Sequence, residues 1–278
     1  MPQKQPLSLQ KIWEAAPRHA LLCLLCLFAA FPLYWMLISS FKPLGEILGT
    51  ALLPKNPIWA NYSAALSGMP FMRMTLNTIF IASAEAFLQL VTAVLAAYAL
   101  TRWDFKGRGL IFSVFSLTWL IPFQAIMIPN YVTIASMGLR NTLLGVVLPF
   151  AASSFAILSI YDAFKAFPRA LIEAAALDNL SELSILFRIV LPNIRASAAS
   201  LAILLFINGW NEYIWAMLVA ANLDNAPIQI GLQYFMSSDG FEWGPLMAAA
   251  TLSCIPVVAL YLILRKQIIN SFVRWGIK

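Results

Sequence analysis

The sequence predicts an all-α, polytopic membrane protein of about six transmembrane helices, and three observations carry that reading. Hydrophobic residues make up 61% of the 278 residues, against 11% charged. Mean hydropathy is +0.80, beyond what a water-soluble fold of this length shows. Apolar stretches near the roughly 20 residues that cross a bilayer as a helix recur along the chain. They run continuously, whereas strands of a membrane barrel alternate polar and apolar residues over about ten positions.

The first span reads as Ala20 to Ser40. Arg18 and His19 precede it as in a secretory signal, but its apolar run continues through Phe31-Pro32-Leu33-Tyr34-Trp35 without a small-residue cleavage site, so an uncleaved helix is expected. Cys23 and Cys26 lie within it, and Cys254 lies in the last span. His19 is the sole histidine, so the four ligands of a zinc site are not at hand and three buried apolar thiols are the expectation. That histidine count, with no G-x-x-x-x-G-K-[ST], G-x-S-x-G or H-E-x-x-H motif, leaves no catalytic constellation and argues against a membrane enzyme.

The second span, Met74 to Leu100, holds Thr78, Glu85, Gln89 and Thr92 at helical spacing on one face. An ionisable group at that depth costs a few kcal/mol and usually faces a cavity or a partner. Glu85 and Gln89 are therefore candidates to line a substrate pathway, and a helix-packing hydrogen bond is the other reading. The third span is Gly109 to Tyr131 and the fourth Thr142 to Tyr161. Pro122, Pro129, Pro149 and Pro256 fall within or beside spans, where proline removes a backbone hydrogen bond and kinks a helix. The fifth span, Ala196 to Ala220, carries Asn208, Asn211 and Glu212 beside Trp210, Tyr213 and Trp215. Those side chains suit either sugar contact or membrane-interface anchoring. Pro245 to Leu264 is the sixth span.

Basic residues stay preferentially on the cytoplasmic side. With the N-terminus inside, fourteen of the eighteen lysines and arginines fall in cytoplasmic segments, from Lys4 to Lys278, and only Lys42, Lys55, Arg73 and Arg140 fall outside. Both termini are thus expected to be cytoplasmic: 1–19 as an N-terminal segment, 20–264 as the transmembrane domain, 265–278 as a tail. The same asymmetry accounts for the net charge of +6, which does not point to nucleic acid.

The longest cytoplasmic interruption, 165–195, reads as two short helices. Pro168 suits a helix start, and Arg169 to Leu177 is rich in helix formers. Asp178-Asn179 breaks the run, Asn179 tolerating a left-handed conformation, and Ser181 caps a second helix through Phe187 and Val190 before Pro192. Spacing alone fits a partner-docking element and an interfacial amphipathic hairpin equally.

Glu173-Ala174-Ala175-Ala176-Leu177-Asp178-Asn179, followed by Leu191-Pro192, resembles the EAA signature of ABC importer permeases. Ser40-Phe41-Lys42, Asn61-Tyr62, Asn77-Thr78, Ile121-Pro122, Ile128-Pro129-Asn130-Tyr131, Trp210-Asn211-Glu212-Tyr213 and Ile255-Pro256 extend the likeness over nearly the whole chain. Together they are similar to the maltose-type carbohydrate permeases, the subfamily that includes glycerol-3-phosphate permeases. One departure is Asn179 where the signature has glycine, at a cost of about 1 kcal/mol.

The resemblance implies a multi-pass, non-catalytic subunit of a bacterial cytoplasmic (inner) membrane importer with the ABC type I architecture. It implies a second permease, generally as a heterodimer, two ATPase domains or subunits that use ATP and Mg, and an extracytoplasmic solute-binding protein. No cofactor would be bound by this chain, and the solute would be a sugar or polyol. Glu173, Ala174, Ala175, Asp178 and Asn179 would couple ATPase closure to alternating access. In the maltose system most sugar contacts lie on the partner permease. The last outer loop, Asn222 to Gly244, carries Asp224, Asp239 and Glu242 and would face the binding protein. The competing reading is a secondary transporter or channel not driven by ATP, which has no use for an EAA loop and for which no inverted repeat is visible.

Overall fold

The computed structural model describes residues 9–237 and 240–276, with side chains from 17 to 236 and from 240 to 265. Lys4, Asp239 and Lys278, named above, lie outside the described residues. Helix α1 (Leu9–Ser39) contains Pro17 and Pro32, and its Cys23 and Cys26 are exposed, not buried as expected, because no other described element covers that stretch. The short α2 (Leu44–Ile47) and α3 (Ala60–Ser67) precede the long α4 (Phe71–Arg102).

The third expected span is not one helix. Instead of a straight run from Gly109 to Tyr131, α5 (Arg108–Trp119) and α6 (Phe123–Ser136) meet at 98°. Pro122 is the cause, having no N–H to donate and disfavouring a helical residue before it. The last turn of α5 tightens so that its carbonyls keep partners: Leu120 N–H donates to Leu117 O at 3.0 Å and Ile121 N–H to Thr118 O at 3.2 Å. The fourth span is broken too. Helix α7 (Leu143–Val147) continues as a 3-10 turn over Leu148–Phe150, and α8 (Ser154–Lys165) departs at 47°, capped by the Ser153 hydroxyl.

In the 165–195 segment, α9 (Arg169–Leu177) is followed by one helical run in three geometries: α10 (Glu182–Ser184), a π turn (Ile185–Val190) and α11 (Leu191–Asn193). The run passes through Pro192 instead of ending before it, then turns 82° into α12 (Arg195–Asn211). The fifth expected span reached Ala220, but α12 stops at Asn211 and α13 (Ile214–Val219) is separate. A 3-10 turn (Leu223–Asn225), α14 (Ile228–Tyr234), the hairpin of β1 (Met236–Ser237) with β2 (Gly240–Phe241), and α15 (Trp243–Gly276) complete the chain. Among the described residues three helices, α1, α4 and α15, are long and apolar enough to cross a membrane unbroken; counting each bent pair as one span gives up to six by length and composition.

The chain divides into two compact units. One comprises Met1–Leu66 with Phe235–Leu252. Within it the Ser40-Phe41-Lys42 and Asn61-Tyr62 motifs form a single knot. The Asn61 side-chain amide donates to the carbonyls of Ser40 and Lys42, both at 2.9 Å, and the hydroxyls of Ser40 and Tyr62 are 2.7 Å apart. Lys42, read from sequence as a loop cation, is fully buried. Its Nζ donates to Ala51 O at 2.7 Å and lies 4.1 Å from the Trp35 ring centroid, which offsets its desolvation.

The other unit comprises Ser67–Tyr234 with Ser253–Lys278, and α4 is its spine. Ala82, Ala86, Ala93 and Ala97 form a buried stripe of small side chains along α4, the feature that lets membrane helices approach closely. One core packs Ala93, Val94 and Tyr98 of α4 with Ile157, Ile160 and Phe164 of α8, Leu201 and Leu205 of α12, and Ala175, Leu186 and Val190 of the loop. A second gathers Ile81, Ile134, Val146, Val147 and Val219 around Trp215, whose indole N–H is 3.2 Å from the carbonyls of both Gly145 and Val146.

Gly145 sits under this second core, where an added Cβ would lie 2.2 Å from Leu139 O and 3.1 Å from Val219 Cγ1. Gly145→Ala is therefore expected to destabilise the unit by about 1–3 kcal/mol, as overpacking does. A wild-type melting curve for that variant in detergent would contradict this packing.

Candidate functional site

A cavity of about 400 Å³ opens among α4, the two breaks and the end of α12. Four of the five residues expected to line a pathway meet there: Glu85 and Gln89 from α4, Asn208 at the end of α12, and Glu212 just beyond it. Asn211 does not join them. It is exposed on another face, its amide donating back to Ile207 O at 2.8 Å.

The polar face of α4 thus divides between two roles. Glu85 and Gln89 line the cavity, while Thr78 and Thr92 hold packing. The Thr78 hydroxyl accepts the Ile228 N–H at 2.8 Å, and the Thr92 hydroxyl contacts Ala151 O at 3.3 Å. Glu85 is 3% exposed and its Oε1 has no hydrogen-bond partner among the described residues. Gly209 explains how a carboxylate fits so close to α12: a Cβ there would lie 2.8 Å from Glu85 Oε2 and 3.0 Å from Ala82 Cα. Glu212 caps α13, its Oε1 accepting the Trp215 N–H at 3.0 Å.

The aromatic walls come from residues that sequence reasoning missed. Trp119 and Phe155 face each other at 5.8 Å between ring centroids, and Phe123 and Phe150 at 4.7 Å. Each pair joins a residue beside one helix break to a residue beside the other, so the two breaks deliver the rings. Thr118 and Ser154, whose hydroxyls are 2.8 Å apart, join the end of α5 to the start of α8 on the same wall. By contrast Trp210 and Trp215 are buried in packing, and neither lines the cavity.

The second candidate element is the loop. Helix α9 ends in a Schellman turn: Asn179 N–H donates to Ala176 O at 3.1 Å and Leu180 N–H to Ala175 O at 3.2 Å, with Asn179 at φ +57°. Asparagine thus takes the left-handed position where the signature carries glycine. Glu173, Ala174, Asp178 and Asn179 are exposed, whereas Ala175 is 4% exposed and packs against this chain's own core. The Ser181 hydroxyl caps the next helix, accepting the Ser184 N–H at 3.3 Å.

Glu182, which sequence reasoning did not single out, fastens the loop to α4. Arg102 grips it through two bonds, Nε to Oε2 at 3.0 Å and a terminal nitrogen to Oε1 at 2.8 Å, and the Tyr98 hydroxyl donates to Oε2 at 2.7 Å. The Arg102 hydrogen bonds hold the Glu182 carboxyl below its ordinary value. A lowered value means the link is kept above the ordinary carboxylate range and is lost as pH falls through the lowered one.

The model of the family described as binding-protein-dependent transport system inner membrane component matches residues 89–273. The chain is 29% identical to a diacetylchitobiose uptake system permease of Streptomyces coelicolor, over 92% of this chain and 87% of that one. It is 30% identical to an sn-glycerol-3-phosphate transport system permease of Agrobacterium fabrum, over 92% and 94% respectively. A lactose transport system permease of Rhizobium radiobacter is 28% identical over 91% and 93%. The fold is similar to that of a bacterial ABC transporter involved in import of the acidic polysaccharide alginate, with a TM-score of 0.80 at 23% identity over 95% of this chain and 99% of that one.

Glu182→Gln leaves one side-chain amide against Arg102 and is expected to cost about 1–2 kcal/mol locally, discounted for partial exposure. Amide-exchange protection across 169–193, taken relative to the intrinsic rate at each pH, should fall in that variant, and in the wild type on acidification. Protection indifferent to both changes would show that the triad does not hold the loop.

Proposed function

Because the chain belongs to the binding-protein-dependent transport system inner membrane component family, we propose that its cavity and its loop are the two ends of one transport device. The chain is a permease subunit of a binding-protein-dependent ABC importer. In our reading a second permease completes the pathway, ATPase subunits hydrolyse ATP with Mg, and a solute-binding protein delivers the ligand from outside a bacterial inner membrane. Both termini are cytoplasmic in this reading.

The observation that carries it is that α4 serves both ends. Glu85 and Gln89 lie on the cavity, and Arg102, seventeen residues beyond Glu85, holds the loop. At 1.5 Å per residue that is about 25 Å of continuous helix. The exposed face of α9, with Glu173, Ala174, Asp178 and Asn179, seats in an ATPase cleft. Closure of the ATPases displaces the loop, and the Glu182–Arg102 link passes the movement to α4. Packed helices switch between discrete arrangements, so the cavity changes the side to which it opens.

The solute is a sugar or polyol. Carboxyl and amide groups offer hydrogen bonds to hydroxyls, and the Trp119, Phe123, Phe150 and Phe155 rings offer apolar faces to the C–H side of a sugar ring. Relatives named for diacetylchitobiose and lactose support that class.

The test is uptake by proteoliposomes holding the complete importer. Ala174→Leu adds bulk on the docking face and should lower ATP-driven uptake at least tenfold with normal membrane insertion. Ala175→Leu overfills this chain's own core and should lower the melting temperature instead. Uptake that persists without ATP would replace this reading with a secondary transporter.

A further inference from the structure

We infer that the cavity selects against anionic solutes, and that the solute passing through it is neutral or cationic and rich in hydroxyls. This rests on the permease reading and adds the charge of the cargo to it. Relatives named for lactose and for sn-glycerol-3-phosphate sit at nearly the same identity, 28% and 30%, so kinship leaves that charge open.

Among the described residues the cavity wall holds two carboxyl side chains, Glu85 and Glu212, and no lysine, arginine or histidine. Each already has one side engaged. Glu85 Oε2 lies against Gly209, and Glu212 Oε1 accepts a backbone N–H at 3.0 Å. What remains is Glu85 Oε1, a polar atom on a side chain 97% buried, with no partner. A buried acceptor left unmet costs about 1–3 kcal/mol, so the site favours a ligand that supplies a donor.

Helix ends do not reverse this sign. A helix amino end carries about half a positive charge and a carboxyl end about half a negative one. The break between α5 and α6 brings one of each to the cavity, Trp119 on the outgoing helix and Phe123 on the incoming one. The break before α8 does the same with Phe150 and Ser153, so both pairs cancel. The break after α12 brings a third such pair, Asn208 near the carboxyl end of α12 and Glu212 at the amino end of α13, and it cancels as well. Two carboxyls therefore set the field. Even with one proton shared between them the cavity stays net negative. A phosphate or sulfonate group would meet repulsion and find no cationic partner, whereas a hydroxyl or ammonium group would satisfy Glu85 Oε1.

Charge selection can be read without knowing the solute. Ala152 is exposed on the cavity wall, so Ala152→Cys places a thiol there once Cys23, Cys26 and Cys254 are changed to alanine. In the complete importer, its modification rate is measured with trimethylammonium-ethyl and with sulfonatoethyl methanethiosulfonate, each relative to a small free thiol. The corrected ratio should favour the cation at least tenfold, and should fall toward one when Glu85→Gln and Glu212→Gln are combined. A ratio near one, or one favouring the anion, in a complex that still drives ATP-dependent uptake sinks the charge inference and leaves the permease reading standing. Failure of both reagents to react means the cavity is closed to water and overturns the pathway itself. ATP-driven uptake of radiolabelled sn-glycerol-3-phosphate by this importer would equally overturn the inference.

Discussion

In hydrocarbon a backbone amide has no partner except its own chain, and this one constraint decides where the helices of this protein are allowed to break. The interruption before Pro122 would strand carbonyls of α5, but a tightened last turn takes up two of them. The interruption before α8 is closed by Ser153, whose hydroxyl accepts the Ala156 N–H at 3.3 Å. The freed ends then lie on the polar cavity instead of on lipid. Broken helices and the cavity are therefore one requirement met twice, since irregular backbone is tolerated at membrane depth only where it lines a cavity or is covered by protein.

Close approach is the second requirement, and it falls on α4. No hydrophobic force drives apolar helices together in lipid, so the stripe of Ala82, Ala86, Ala93 and Ala97 matters for its smallness more than its polarity. Gly209 continues the same logic on α12. Its missing Cβ leaves the volume that Glu85 Oε2 occupies. The cavity's acid is placed by a packing device, which is why polar and small residues alternate so closely along this helix pair.

Much of this was legible beforehand. Hydropathy marks spans because composition alone decides whether a segment tolerates lipid, and the left-handed turn at Asn179 and the cap at Ser181 are local chemistry. Polarity at depth also marked Glu85, Gln89, Asn208, Asn211 and Glu212 one by one, because an ionisable or amide group there seeks a cavity or a partner, but which of them meet is set by the tertiary fold. The bends were not legible, since Pro122 stands at a 98° break while Pro129 and Pro256 remain inside helices. Proline sets where a hydrogen bond is missing, and tertiary neighbours set whether the helix gives way. Nor could spacing tell that Asn211 turns away, that the aromatic walls come from Trp119, Phe123, Phe150 and Phe155, or that Glu182 has a partner eighty residues earlier.

That last pairing bears on how a loop of alanines is held. Ala175 is turned into the core beside Leu186 and Val190, so it seats the loop on its own chain, while Ala174, the preceding residue, faces outward. Neighbouring alanines therefore lie on two faces of α9, of which this chain covers one. The bidentate Arg102–Glu182 pair, reinforced by Tyr98, adds direction, because a planar guanidinium holds a carboxylate in one orientation as a single ammonium does not. Partial exposure limits what the pair adds to stability. Its consequence is geometric: the loop is tied to the carboxyl end of the helix whose middle carries Glu85.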